Sequence, residues 1–173
     1  MSARNYRAVA LFFACRATFG LTVLALGSIV CAAAEISGPV TSVLDGDTIE
    51  VLHNQHPERI RLHGIDCPEK GQAYGTKAKH ATSALVFGKE VTLQTHGKDR
   101  YKRTLADVFL SDGTHVNHEL VKDGWCWWYR KYAPKDIELK MLEEQARQSK
   151  KGLWGERAPV PPWEWRRDAR ATR

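Results

Sequence analysis

The sequence predicts a small α+β domain that is mainly β: a five-stranded barrel capped by three helices. Three observations carry that prediction. Five short segments are rich in β-branched residues and alternate apolar with polar positions. One helical pattern interrupts them after the third. The other helical patterns follow the fifth, and 173 residues leave room for a single core of ordinary size.

In the first segment Val40, Ser42 and Leu44 alternate with Thr41 and Val43, and Asp45-Gly46 supplies a turn. Thr48 to Leu52 resumes the β-rich composition. After a second turn at His53–Pro57, Glu58 to His63 alternates again, which sets Arg59, Arg61 and His63 opposite Ile60 and Leu62. A helix is expected from Gly75 to Phe87, with Ala78, Ala81 and Leu85 on one face and Gly88 as its stop. Glu90–Gln94 and Thr104–Leu110 are the last two strands. Ser111-Asp112-Gly113 turns the chain into a short helix from about Val116 to Lys122, ended by Gly124. The final helix is expected from Pro134, acceptable at a first helical position, to Lys151. Ile137, Met141, Leu142 and Ala146 would face inward, with Gly152 as cap. This order of elements is compatible with an OB-fold, a barrel often used for oligonucleotides. Residues 35–155 would form that domain, and the Pro- and Arg-rich residues 156–173 read as a poorly packed tail.

The chain carries 26 Lys+Arg against 20 Asp+Glu, a surplus of six that favours a polyanionic partner. Three of those arginines (Arg4, Arg7 and Arg16) precede an uncharged apolar stretch that ends in Cys31-Ala32-Ala33-Ala34. Residues 1–34 are therefore expected to be a secretory signal, the other reading being a retained membrane anchor. Without them the surplus falls to about three, so where the charges lie matters more than their sum. The mature chain would keep two cysteines, Cys67 and Cys126. In an oxidising compartment they suit one disulfide, although two separate thiols stay open.

Asp47 and Asp66 each stand at a strand end, where two carboxylates can share a hard cation such as calcium. Taken singly, Asp45-Gly46-Asp47 reads as a hairpin turn. Zinc is not expected: none of the seven histidines pairs at a ligand spacing with a cysteine nearby, and His115 and His118 read as solvated residues of a short helix. Glu69, three residues past Asp66, lies on a loop where a carboxylate can orient or deprotonate a water; taken singly, it reads as an exposed loop glutamate. Arg61 and Arg103 offer the bidentate match to phosphate that phosphoryl transfer needs. In Trp125–Tyr132, rings interleave with cations; most of the tryptophans suit a core, whereas Tyr129 and Tyr132 suit base stacking.

Taken together, Asp-Gly-Asp-Thr (45–48), Arg-Leu-x-Gly-Ile-Asp-x-Pro-Glu (61–69), Asp-x-Tyr-x-Arg (99–103) and Val-Asn-x-x-Leu-Val-x-x-Gly (116–124) closely resemble the thermonuclease, or staphylococcal nuclease-like, family. The resemblance runs from about Gly38 to Trp154. It implies an OB-fold and a calcium-dependent endonuclease that cleaves DNA and RNA to 3′-phosphates. It also implies Ca2+ on Asp47, Asp66 and the Cys67 carbonyl, catalysis by Arg61, Glu69 and Arg103, and a nucleotide site lined by Arg100, Tyr101, Tyr129 and Tyr132. The protein would be an exported monomer, periplasmic or secreted, with nucleic acid as substrate and no stable membrane association once the signal is cleaved. Three departures stand out. Cys67 replaces a threonine, Lys102 stands where the family usually has glycine before Arg103, and the loop from Glu69 to Tyr74 is short. The competing reading is the same barrel used as a non-catalytic nucleic-acid-binding module. An enzyme of polysaccharide metabolism lacks a carboxylate pair on a motif of its own.

Overall fold

A computed structural model describes residues 36–172. Its centre is a closed barrel with strand order β1-β2-β3-β6-β5, in which β5 pairs back onto β1. β1 (Ile36–Asp45), β2 (Thr48–His53) and β3 (His56–Leu62) form the expected meander, joined by tight turns at Gly46-Asp47 and Asn54-Gln55. β4 (Ile65–Asp66) is a two-residue strand, and α1 (Gly75–Val86) follows it. β5 (Glu90–Lys98) and β6 (Thr104–Leu110) pair antiparallel, and β6 closes the barrel by lying parallel to β3.

Period-two burial explains why these segments are strands. Val40, Ile49, Val51, Ile60, Leu62, Val91, Leu93, Ala106 and Val108 are all buried and form one apolar cluster. Burying a side chain such as Ile60 is worth roughly 1.5–3 kcal/mol, so the alternation selects both strand and register. α1 closes one end of the barrel. It buries Ala78, Thr82 and Val86, while Ala81 and Leu85 pack partly buried against the core. The Thr82 hydroxyl donates to the Gly46 carbonyl at 2.5 Å, tethering α1 to the β1–β2 turn.

α2 (Val116–Lys122) matches its expected span. β7 (Trp127–Trp128) then pairs with β4. α3 spans Ile137–Gln148, with Asp136 as its N-cap accepting from the Leu139 N–H at 2.9 Å. Its inward face corrects the sequence reading. Leu139, Glu143 and Ala146 are buried, whereas Ile137 is 70% and Met141 52% exposed. The cap moves the helical frame later, and Glu143 takes an inward position because polar groups meet it there. The Trp128 N–H donates to its carboxylate at 3.2 Å, and Arg147 pairs with it at 3.2 Å. Arg147 also lies 3.9 Å from the ring centre of Trp154, in a second apolar cluster with Trp127, Ala146 and Leu153.

The tail is the larger correction. Residues 162–171 form a further helix, α4 (Pro162–Ala171), that opens on Pro162 at N1. Trp163 packs against the Trp127 cluster, so an apolar anchor outweighs the polar composition that suggested a loose end. Cys67 and Cys126 form a disulfide. The signal and anchor readings of residues 1–34 lie outside the described residues.

Candidate active site

Strand register assembles the first part of the site. Thr48 pairs with Arg61 across β2 and β3, and Ile60 pairs with Thr104 across β3 and β6. Asp47, Arg61 and Arg103, one residue from or at these pairs, are thereby drawn to one face. Arg61 Nη1 lies 2.5 Å from Asp47 Oδ2, and its Nη2 lies 2.8 Å from Asp66 Oδ1. Arg103 reaches Thr48 Oγ1 at 3.4 Å. Asp47 also accepts from the Thr48 hydroxyl at 3.1 Å and from the Cys67 N–H at 2.9 Å. With its sulfur in the disulfide, Cys67 has only its carbonyl left to offer a cation.

Asp66 is fully buried. Its backbone is held by β4 pairing with β7, the same pairing that sets Tyr129 next to the site through the Tyr129 N–H bond to Gly64 O. Burial pushes the Asp66 carboxyl up, against the opposing pull of the Arg166 and Arg61 guanidinium groups. Asp45 is pushed up to about 6, chiefly by burial and then by the charge of Asp47. Carboxylates are thus crowded on this face, and the fold must supply cations to hold them.

Arg103 is aimed by a turn that Asp99 organises. Asp99 accepts from the Tyr101 and Arg103 N–H groups at 2.8 and 3.0 Å, and from Arg103 Nε at 2.7 Å. Burial works to raise the Asp99 carboxyl, but these hydrogen bonds outweigh it and hold it below the usual range. Lys102 adopts φ 64°, the left-handed conformation glycine would take freely. The departure from glycine therefore leaves the turn intact, at a cost of about 1–2 kcal/mol. Arg100 lies over the Tyr101 ring at 4.8 Å, and Tyr101 itself is 64% exposed.

Glu69 lies on the loop before α1. Gln72 fixes that loop by accepting from the Glu69 N–H at 3.0 Å and donating to the Val160 carbonyl at 2.7 Å. Gly75 is required there, because a Cβ would sit 2.1 Å from the Glu69 carbonyl oxygen. This short loop is braced from both sides.

Sequence reasoning missed Arg166. From α4 it places Nη2 at 2.6 Å from Asp66 Oδ2 and Nη1 at 3.2 Å from Asp66 Oδ1 and 2.5 Å from Glu69 Oε1. These two carboxylates raise its pKa further, outweighing the opposing effect of burial. Next to it, Trp163 stacks on Tyr129 with ring centres 5.2 Å apart and planes at 5°. Tyr132 meets Tyr129 edge-on at 4.8 Å. Tyr129 and Tyr132, expected to stack bases, thus lie side by side, and Trp163 of α4 covers Tyr129. No local signal marks Arg166, because it lies 97 and 100 positions from its partners.

Arg61 and Arg166 stand among Asp47, Asp66 and Glu69 as cations do, and every side-chain donor there is a carboxylate oxygen. Such a set fits a hard divalent ion. Among the described residues, the one group of three His, Cys, Asp or Glu ligand atoms lying within 4.8 Å of one another is elsewhere, at His63, His96 and Asp107. His115 and His118, expected to be solvated, have side chains only 19% and 16% exposed.

Residues 59–156 match the family described as staphylococcal nuclease homologue. The chain is 47% identical over 133 residues to an uncharacterized endonuclease of Escherichia coli O157:H7, covering 77% of this chain and 86% of that protein. It is 39% identical over 143 residues to a micrococcal nuclease of Shigella flexneri, covering 78% and 82%. It is 39% identical over 163 residues to the ParB protein of Escherichia coli, covering 89% and 91%. The matched family segment contains Arg61, Asp66, Glu69 and Arg103 and ends before Arg166.

Proposed function

This chain belongs to the family of staphylococcal nuclease homologues, and from that premise we propose a calcium-dependent endonuclease, exported from the cell, that cleaves DNA and RNA to 3′-phosphates. It is a nuclease, hydrolysing phosphodiester bonds of nucleic acid. One observation carries the finer reading: Asp47, Asp66 and Glu69 converge with Arg61 and Arg103 on one face of the barrel.

Asp47, Asp66 and the Cys67 carbonyl would hold the ion, and when bound it would neutralise charge on a phosphate oxygen. Glu69 accepts the proton of an attacking water as the new P–O bond forms. Arg61 and Arg103 donate to the oxygens on which negative charge grows. The P–O5′ bond then breaks, the 5′-oxygen leaves as a hydroxyl on taking a proton from solvent water, Glu69 returns its proton to solvent, and phosphate stays on the 3′ side. Arg100, Tyr101, Tyr129 and Tyr132 hold neighbouring nucleotides by charge and stacking. The disulfide supports export, since such bonds persist in oxidising compartments.

Single-stranded DNA incubated with the protein should be degraded in calcium and left whole in excess chelator. A polymerase should extend the product 3′ ends only after phosphatase treatment. Cleavage in chelator would overturn the calcium dependence, and binding without cleavage would favour the non-catalytic module.

Arg166 must release Asp66 before that carboxylate can serve an ion. Arg166→Ala is therefore expected to lower the calcium concentration for half-saturation about tenfold, equivalent to about 1.4 kcal/mol. Calorimetry without substrate reads this directly. Unchanged calcium affinity would show that Arg166 does not compete for Asp66.

A further inference from the structure

Three histidines converge on one carboxylate on the β3–β6–β5 wall of the barrel, and none of the four residues belongs to the nuclease site. His63 follows β3, His96 is on β5, Asp107 is on β6 and His115 immediately precedes α2. We propose that His63, His96, Asp107 and His115 form a second metal site, selective for a borderline transition ion such as Zn2+ over calcium.

The distances argue for this reading. His96 Nε2 lies 2.7 Å from Asp107 Oδ2, an ordinary hydrogen bond. His63 Nδ1 and His115 Nε2 lie 3.9 and 3.6 Å from Asp107 Oδ1, outside hydrogen-bond reach. Around a four-coordinate ion with ligands at about 2.0–2.1 Å, neighbouring donors stand roughly 3.4 Å apart. The spacings of His63 and His115 approach that tetrahedral edge. His115 Nε2 is also buried and has no hydrogen-bond partner, a cost that ligation would remove. The ligand atoms of His63, His96 and Asp107 already lie within 4.8 Å of one another, and ligation would exchange the His96–Asp107 hydrogen bond for two bonds to the ion.

Asp107 is braced from behind as well. The buried Asn117 amide donates to its Oδ1 at 3.2 Å and to the Ala106 carbonyl at 3.2 Å. Such outer partners orient a ligating carboxylate. Imidazole nitrogen with one carboxylate suits zinc, nickel or copper, whereas calcium takes oxygen ligands. The ion would clip the start of α2 and three strands together, across the parallel β3–β6 pair that closes the barrel.

Calorimetry of the untagged chain with ZnCl2, without calcium, tests the site. One saturable site is expected, with Kd on the order of micromolar or tighter. His96→Ala and Asp107→Asn should each weaken it at least tenfold, while Asp66→Asn leaves it unchanged. Co2+ in place of Zn2+ should give the visible bands of a four-coordinate ion and lose them in the same two variants. His96 is on the surface, so His96→Ala tests ligation without risking the fold. No saturable binding, binding unchanged in His96→Ala, or binding lost in Asp66→Asn would each overturn the proposal.

Discussion

Glu69→Gln is expected to cut the rate of DNA cleavage about 100- to 10,000-fold, the usual contribution of a positioned general base. The amide keeps the shape of the side chain but cannot take the proton of the attacking water. Glu69 is on a partly exposed loop and pairs with Arg166, so stability should change by no more than about 1 kcal/mol. Arg61 gives a less clean test. It bridges Asp47 and Asp66, and removing it leaves both carboxylates short of a partner in a buried setting. Loss of activity in Arg61→Ala would mix lost catalysis with a disturbed fold. Single-turnover rates at saturating calcium, together with a thermal melt, separate these effects for Glu69→Gln. Full activity in that variant would remove Glu69 from the mechanism. The ion pair with Arg166 adds a check, since losing it should loosen α4 without restoring the rate.

Cys126→Ser, or reduction of the native protein, is expected to cost about 4 kcal/mol, the chain-entropy value for a loop closed over 59 positions. That is a large share of the stability of a domain this size. Cys126 is fully buried, and Cys67 is on the loop whose N–H holds Asp47. Loosening the bridge should therefore weaken calcium binding as well as lower the denaturant midpoint. Cys126→Ser is the better variant, because it breaks the bond from the side away from the Glu69 loop. Urea titrations with and without reductant measure the first effect, and calorimetry the second. Equal midpoints with and without reductant would show that the bridge adds nothing to stability.

The Lys102 turn shows how far local chemistry reaches. Lys102 standing before Arg103 flagged a question about aim, and Asp99, four residues upstream, answers it by hydrogen bonds inside the same turn. Arg61 and Glu69 were likewise legible, because motif spacing and strand alternation act over a few residues. The inward face of α3 was not. Its frame depends on the Asp136 cap and on the Trp128 N–H and Arg130, which reach Glu143 from outside the helix.

The sequence by itself determined the five barrel strands, their order and most of the polar residues that the fold gathers around Asp47 and Asp66. Period-two burial and turn chemistry are short-range, so they can be read without knowing where the chain returns. Only the tertiary structure decided that β3 and β6 close the barrel in parallel, that α4 brings Arg166 onto Asp66 and Glu69, and that His63, His96 and His115 meet at Asp107. Apart from the pairs of Asp107 with His96 and His115, these contacts join residues tens of positions apart. They exist because burying the barrel core and the Trp127–Trp163 cluster outweighs the entropy of closing such loops, and no local pattern records that balance.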